Sequence, residues 1–290
     1  MPPTSATSSG PDAPRRRARA LTAWLSAADL RRIGAPTDPA RARAARELVA
    51  ARPEDVDQSG VIGEWPGVLA PHGDALRAAA GARRMFDEGW ELALVTDLRR
   101  IVAAQPTVLA DPAAKGPDPA SLDLEALARL ALPLHDPAPE IRPGFDEAQQ
   151  RWILTSPNPN LRVTGRFGGE VQPGVLGFGF FFQVLGSFVS VAEFRGRLVL
   201  RDGYHRAHRL LASGVTAVPA FVRRFPEDEP PLRTGMLGPE VYAGPRPPTL
   251  ADYLDDRLAA DVWLAGEDTT AIVSLTPARL AVGRPAPPES

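Results

Sequence analysis

Two of the chain's four histidines and three of its arginines lie within nine residues, Arg-Asp-Gly-Tyr-His-Arg-Ala-His-Arg at 201–209. Upstream, residues 194–200 predict a β-hairpin that turns at Arg195-Gly196. Downstream, apolar residues recur at helical spacing until Gly214, and residues 218–222 have strand character. The pattern is strand, Asp-Gly turn, helix, glycine, strand. Free backbone N–H groups and the positive dipole end at a helix start favour an anion, so this turn is a candidate phosphate site.

On the predicted helix, His205, His208 and Arg209 share one face by their three- and four-residue spacing. The opposite face is apolar and predicts burial of Ala207, Leu210 and Leu211. Two simpler interpretations compete with a phosphate site. The basic face could be ordinary solvated surface, or Asp202 could act only as an N-cap. The Asp-Gly start favours the phosphate site over a plain surface helix.

Residues 198–220, Leu-Val-Leu-Arg-Asp-Gly-Tyr-His-Arg-Ala-His-Arg-Leu-Leu-Ala-Ser-Gly-Val-Thr-Ala-Val-Pro-Ala, resemble the signature of the ParB/sulfiredoxin superfamily. There a strand leads into a Gly-X-His/Arg-Arg turn, a helix, a glycine and a Val-Pro strand. Sulfiredoxins carry Gly-Cys-His-Arg where this chain has Gly203-Tyr204-His205-Arg206. ParB proteins carry Gly-Glu-Arg-Arg there, and related free-serine kinases carry an Asp-Gly-His-like turn. The turn binds the phosphates of ATP, CTP or ADP in those families, so the resemblance implies that Gly203, His205 and Arg206 contact nucleotide phosphate.

The resemblance covers residues 186–224 and, more loosely, the stretch from Leu92 onward. Residues 95–106 are similar to the first strand of ParB-like domains, which ends in a Gln-Pro step. Two departures limit what the resemblance implies. The chain has no cysteine, so it is not a sulfiredoxin, whose chemistry needs a thiolate. The residues after Phe225 are Pro-rich and predict no helix-turn-helix, which argues against chromosome partitioning.

The expected fold class is α+β: a ParB/sulfiredoxin-like mixed sheet with helices, preceded by a helical N-terminal region and followed by a Pro-rich C-terminal extension. The expected divisions of the chain are a disordered tail at 1–20, the helical region at 21–89, the core at 90–225 with a loop-rich insertion at about 106–150, and the extension at 226–290.

Periodicity and capping residues predict five helices outside the motif. These are Leu21–Ile33, Pro39–Ala51 capped by Asp38, Asp74–Glu88, Leu122–Leu132 capped by Ser121, and Thr249–Leu258 with Asp252 at the capping-box position. Predicted strands are Trp90–Val95, Trp152–Thr155, Leu161–Arg166, Phe178–Phe182, Phe188–Val191 and a closing strand, Thr269–Leu275.

The aromatic run at 178–182 and the apolar run at 188–191 favour sheet positions. We interpret them as core strands, with an aromatic wall for a nucleobase as the alternative. The glycines at 165, 168, 169, 177 and 179 lack the spacing and the Lys-Ser/Thr ending of a phosphate loop.

Composition and charge bear on whether the protein binds nucleic acid, crosses a membrane or is exported. Lys115 is the only lysine beside 32 arginines, a bias typical of a GC-rich bacterial genome, so arginine content by itself indicates no function. The net charge is −2, which predicts no general affinity for nucleic acid, although a local groove for DNA stays open. Neither a membrane helix nor a signal peptide is predicted, and the absence of cysteine favours the cytoplasm.

No metal site is predicted from the histidines. His72 and His135 are interpreted as loop residues without ligands at metal spacing, and the His205-X-X-His208 pair lacks a third ligand.

The first functional hypothesis is a nucleotide-dependent enzyme, kinase-like or hydrolytic, because phosphoryl transfer needs positioned cations and dipoles more than covalent groups. The proposed catalytic residues are Asp202, His205 and Arg206, and the nucleotide-binding residues are Gly203, Tyr204, His205, Arg206 and Arg209. Asp202 would hold Mg²⁺ or orient His205, the amides of Tyr204 and His205 would cradle phosphate, and Arg209 would be a second cation. Only proximity in the chain suggests Glu193 or Glu170 as general base.

Two other hypotheses stand beside the enzyme. One is a non-enzymatic switch in which a nucleotide, ATP or CTP with the base unknown, alters a surface that contacts DNA or protein. The other is a turn that keeps its shape for stability and binds nothing. The phosphoryl acceptor, a small molecule or a protein, is not identified by the sequence.

Overall fold

A computed structural model describes residues 15–35, 38–110, 117–135, 140–158, 160–232, 235–265 and 269–274. The protein is of the α+β class, as expected. The chain forms two compact units: unit 1 comprises residues 1–137 and 185–267, and unit 2 comprises residues 138–184 and 268–290. This division differs from the predicted one, because the strands between 138 and 184 separate from the core to which the sequence assigned them.

The described helices all lie in unit 1 and are short. The α-helices are α1 (Ala27–Arg32), α2 (Pro39–Ala50), α3 (Ala70–Ala78), α4 (Ala80–Asp87), α5 (Leu124–Ala131), α6 (Tyr204–Ala212) and α7 (Pro239–Tyr242). The 3-10 helices are Gly67–Leu69, Leu98–Arg100, Pro119–Ser121 and Leu250–Leu254.

The described part of unit 1 contains two sheets, and strands are numbered along the whole chain. Its strands are β1 (Arg15–Ala20), β2 (Ile62–Gly63), β3 (Glu91–Val95), β4 (Thr107–Leu109), β9 (Ser190–Phe194), β10 (Arg197–Asp202), β11 (Val218–Arg224) and β12 (Ala260–Ala265). The larger sheet is mixed, in the order β10-β9-β11-β3-β2, with β9 and β11 parallel and the other neighbours antiparallel. The smaller sheet, β12-β1-β4, is antiparallel.

The predicted hairpin at 194–200 is present as β9 and β10. Arg195 and Gly196 both have positive φ, 50° and 75°, the signature of a two-residue type I′ turn that matches the twist of paired strands. The chain then runs from β10 through α6 to β11, as the pattern predicted.

Helix α6 packs its apolar face into the main core of unit 1. Ala207, Leu210 and Leu211 are buried, as predicted, in one cluster with Val191 and Phe221 of the mixed sheet. The helix also lies against β4 and the 3-10 helix Leu250–Leu254. Its end is a Schellman arrangement, in which Val215 donates to the Leu210 carbonyl, Gly214 donates to the Leu211 carbonyl, and Gly214 has φ of 82°.

The predicted disordered tail is wrong for its last six residues. Arg15–Ala20 form β1, which pairs with β12 and β4, and the side chains of Ala18 and Ala20 are fully buried. The partner strands lie far away in the chain, so a local reading of composition could not find them. Residues 1–14 lie outside the described residues.

Several predicted helices are shorter than expected. The helix predicted at 21–33 is only α1, after an N-cap at Ser26, and the one predicted at 74–88 is interrupted at Ala79, whose ψ of 126° is extended. Asp123, rather than Ser121, caps α5.

Two capping predictions are confirmed. Asp38 caps α2 with Pro39 at its first turn, and Thr249 forms the predicted capping box with Asp252, although the helix is only a 3-10 segment.

Unit 2 is all-β in its described part. Its strands are β5 (Arg142–Asp146), β6 (Arg151–Ser156), β7 (Leu161–Gln172), β8 (Val175–Val184) and β13 (Thr269–Ser274). They form an antiparallel β13-β6-β5 sheet and a β7-β8 hairpin.

The interpretation of the aromatic run at 178–182 as core strands is wrong. Phe178, Phe180 and Phe181 are 59%, 42% and 57% exposed, because no other described element of unit 2 covers the hairpin. The run at 188–191, by contrast, is buried in unit 1. No helix among the described residues is both long enough and apolar enough to cross a membrane.

Candidate functional site

Gly203 fixes the turn between β10 and α6. Its φ of 87° is left-handed, and a Cβ here would lie 2.9 Å from Cα of Val189 and 3.2 Å from the carbonyl oxygen of Phe188. Only glycine fits both the backbone conformation and the close approach. Asp202 accepts a hydrogen bond from the Gly203 amide at 2.7 Å, which holds the chain as it leaves β10.

The first amides of α6 are free. Ala207 is the first residue whose N–H donates within the helix, to the carbonyl of Gly203. The amides of Tyr204, His205 and Arg206 donate to no described residue, and Gly203 supplies no side-chain cap. Such amides, with the positive end of the helix dipole, are the parts an anion site requires.

The Tyr204 side chain points away from that turn into the core. It is 3% exposed, its hydroxyl donates to the carbonyl of Leu200, and it accepts from the Ala104 amide at 3.0 Å. Burial raises the pKa of this hydroxyl above its usual range. Tyr204 therefore has only its backbone amide left to offer a ligand, and its hydroxyl holds the segment before β4.

His205 keeps part of its surface exposed although the surrounding chain desolvates its ring, and one ring nitrogen is already hydrogen-bonded. The amide of Leu109, the last residue of β4, donates to Nδ1 at 3.0 Å. Desolvation lowers the pKa of His205, the charges of Arg16 and Arg206 act in the same direction, and Asp202 opposes them. The ring is thus held neutral, with its proton on Nε2, and Nε2–H donates to no described residue.

The Arg206 side chain is anchored to neighbouring chain through one of its nitrogens. Its Nη1 donates to the carbonyls of Ala131 and Ser187, both at 2.9 Å, so the guanidinium lies at the C-terminal end of α5. A cation there complements the free carbonyls and negative dipole end of that helix. Arg209 likewise donates to the carbonyl of Pro117 at 2.8 Å. Both arginines therefore hydrogen-bond α6 to adjacent segments of the same polypeptide.

The shared polar face predicted for His205, His208 and Arg209 is wrong for His208. That residue is 7% exposed, and its ring contacts Tyr253 edge-on, with centroids 6.1 Å apart. Burial lowers the pKa of His208 to about 4, with smaller effects from Arg19 and His205. His72 also departs from expectation, since it lies in α3, where Nε2 is 3.0 Å from the Leu132 carbonyl oxygen.

None of the three candidate carboxylates, Asp202, Glu193 and Glu170, is placed as a general base or hydrogen-bonded to His205. Asp202 makes no hydrogen bond to His205, so Leu109 rather than Asp202 orients the ring. Glu193 forms an ion pair with Arg224 at 2.7 Å. Glu170, in unit 2, accepts from the amide of Gly174 at 2.8 Å. No cluster of three or more metal-ligating side chains lies among the described residues.

Sequence reasoning missed Arg16. It is exposed on β1, and among the described residues its guanidinium has no hydrogen-bond or ion-pair partner. Its charge acts on His205, so the two side chains lie within electrostatic range. Neighbouring Arg17 and Arg19, by contrast, both pair with Asp261. In the sequence, Arg16 belongs to an arginine cluster at 15–17, inside the segment predicted to be a disordered tail.

A shallow groove of about 580 Å³ lies at the other end of α6. It is lined by Arg99, Leu211, Gly214, Thr216, Ala251, Leu254, Asp255 and Asp256. The two acidic residues and the distance along α6 from Gly203 make it a different surface from the phosphate candidate.

Comparison with known protein families, curated proteins and solved structures finds no match to this chain.

Proposed function

We propose that the start of α6 binds the phosphate groups of a nucleotide. The observation that carries the proposal is the free amides of Tyr204, His205 and Arg206 behind the left-handed Gly203, with the Nε2–H of His205 as a further donor. Backbone amides and a neutral donor can hydrogen-bond to an anion, and the helix dipole adds to the attraction. The resemblance to the ParB/sulfiredoxin superfamily points to the same turn and stays a prediction.

Arg16 supplies the unpaired cation in this proposal, since its guanidinium has no partner among the described residues. A phosphate would complete its ion pairing, and a charge-assisted bond of this kind is about twice as strong as a neutral one. Arg206 contributes its amide and its long-range charge, while its Nη1 keeps α5 in place. Arg209 acts from one turn further along the helix.

Magnesium fits the turn only as an ion brought with the nucleotide. Asp202 is the one carboxylate in the turn, and one of its oxygens accepts from Gly203. Mg²⁺ commonly takes one or two carboxylates together with substrate phosphates and water, so Asp202 can serve as its single protein ligand.

Binding is better supported than turnover. With Nδ1 accepting from Leu109 and Nε2 protonated, neutral His205 is a hydrogen-bond donor and has no free nitrogen lone pair to act as a general base. The two carboxylates considered as bases have other partners. A phosphotransferase or hydrolase therefore remains a hypothesis beside the nucleotide-gated switch that contacts protein or DNA, with the cytoplasm as the expected location.

A thermal-shift screen with ATP, CTP, GTP and ADP, with and without Mg²⁺, tests the proposal. A nucleotide at tenfold its dissociation constant stabilises the folded state by about 1.4 kcal/mol, or about 3–5 °C in a domain of this size. We expect such a rise, and we expect Arg16→Ala to reduce it.

Arg15→Ala is the matched control for Arg16→Ala. Arg15 is also exposed and without a described partner, but it lies on the opposite face of β1, so its loss should leave the shift unchanged. No rise with any nucleotide at millimolar concentration would overturn the proposal. Phosphate release that depends on His205 would favour the enzyme, and binding without turnover would favour the switch.

A further inference from the structure

Strand β7 has a free edge. Among the described residues of unit 2 it pairs only with β8, so no other described strand is hydrogen-bonded to its outer row of N–H and C=O groups. Residues 166–172 are all exposed, and Phe167 and Val171 are 54% and 66% exposed. A long, exposed strand edge is a template for pairing with another strand.

The centre of β7 is regular. Its register with β8 shifts once between Val163 and Gly165 and once between Glu170 and Gln172, and residues 165–170 between these bulges pair without interruption. Side chains alternate along a strand, so Arg166, Gly168 and Glu170 lie on one face and Phe167 and Gly169 lie on the other.

This hairpin already places rings over glycines. Phe167 lies over Gly179, where a Cβ would be 2.6 Å from the ring, and Phe181 lies over Gly165, where it would be 3.1 Å from the ring. The two rings contact each other at 5.4 Å between centroids. In both of these cross-strand pairs of the β7-β8 hairpin, a phenylalanine ring packs over the glycine opposite it.

We propose that β7 pairs antiparallel with β7 of a second copy of this chain, with Gly168 opposite Gly168 of that copy. In this register Arg166 lies opposite Glu170 of the second copy, and Glu170 opposite its Arg166. Phe167 lies opposite Gly169, which has no side chain to clash with it and open space around its Cβ position. The strand is therefore complementary to itself in charge and in shape, and the two hairpins form one four-stranded sheet.

The charges are available for this pairing. Arg166 has no hydrogen-bond or ion-pair partner among the described residues, and the Glu170 carboxylate accepts only from the Gly174 amide. Opposite charges directly across two strands stabilise the pair, and like charges destabilise it. The symmetric pairing of two copies forms this Arg–Glu pair twice, which favours a second copy of the chain over an unrelated strand.

A charge-reversal cycle on the full-length chain tests the proposal. Sedimentation should show a dimer for the unchanged protein, and association at least tenfold weaker for Arg166→Glu and for Glu170→Arg, because each variant puts like charges across the axis. Mixing the two variants, or combining both changes in one chain, should restore the dimer. Arg43→Glu, an exposed change of the same charge on α2, should leave association unchanged.

Single cysteines test the register, since the chain has none of its own. Cα atoms of a directly opposed pair lie about 4.5–5.5 Å apart, within the range that a disulfide spans. Gly168→Cys should therefore form a disulfide-linked dimer on mild oxidation, and its Cβ meets only an ordinary 3.6 Å contact with Phe178. The control Gly169→Cys, with open space around its Cβ, should link poorly because the two copies of that position would be about 8 Å apart.

Four results would contradict the proposed β7–β7 pairing. A chain that stays monomeric up to its solubility limit, a dimer indifferent to both charge reversals, failure of the mixed variants to associate, or equal disulfide yields at positions 168 and 169 would each overturn the proposal.

Discussion

The backbone N–H of Leu109 donates to Nδ1 of His205 at 3.0 Å and joins β4 to the first turn of α6. This bond leaves the proton of the neutral ring on Nε2, and the lowered pKa of His205 keeps the ring neutral at pH 7. Nδ1 of the imidazole thus has a structural role, and Nε2–H is a donor available to a ligand.

Replacing His205 by its two amide analogues should separate these roles. Asparagine keeps an acceptor for Leu109 but loses the Nε2–H donor, so His205→Asn should weaken nucleotide binding about tenfold with little loss of stability. Glutamine keeps a donor near the position of Nε2, so His205→Gln should retain more of the binding. Calorimetric titration with the nucleotide identified by the screen measures both. Equal affinities in the two variants would refute a donor role for Nε2.

Gly203→Ala should destabilise the protein strongly. The left-handed φ costs about 1 kcal/mol or more for any residue with a Cβ, and the 2.9 Å approach to the Val189 backbone adds to it, so we expect about 3 kcal/mol or more. Gly196→Ala is the matched control, because its φ of 75° carries the same strain with nothing within 4 Å of the new Cβ. Urea unfolding of both variants measures the difference, and equal losses would show that the close approach has no cost.

Tyr204→Phe should cost about 1–3 kcal/mol of stability, because the buried amide of Ala104 loses its acceptor. Tyr242→Phe is the control: that residue is equally buried, but its hydroxyl bonds to no described residue, so its loss should be nearly neutral. Chemical denaturation at pH 7 compares them. A neutral Tyr204→Phe would mean that the Ala104 amide finds another partner.

The free energy of unfolding should fall as the pH drops from about 6.5 towards 4. The pKa of His208 is about 4 in the folded chain, against about 6.5 when unfolded, so in this range the unfolded state binds the proton more readily. The full effect is about 3 kcal/mol at about 1.4 kcal/mol per pKa unit, and His205 adds in the same direction.

His208→Gln should remove most of this slope. Carboxylates with lowered pKa values, such as those of Asp97 and Asp261, lose their stabilisation only at lower pH, so the window between 6.5 and 4.5 reports the histidines. Denaturation curves at half-unit pH steps measure the slope, and an unchanged slope in the variant would rule out His208 as its source.

Short-range rules made several features predictable. The Arg195-Gly196 turn, the stop at Gly214, the cap at Asp38 and the Thr249–Asp252 capping box depend on φ angles and on hydrogen bonds that span only a few residues. The candidate phosphate turn belongs to this group, because Gly203 and the free amides of α6 follow from the local strand-turn-helix pattern alone.

Contacts between distant residues decided the rest. The side chain of Arg206 turns to carbonyls 19 and 75 residues away, His208 is covered by Tyr253, and β1 exists only because β12 and β4 offer it partners. The aromatic run of β8 is exposed because no described strand of unit 2 covers it. The sequence by itself determined which backbone turns could form, since their energies are local. Tertiary packing decided which side chains remained free for a ligand, since burial and long-range hydrogen bonding depend on which elements meet in space.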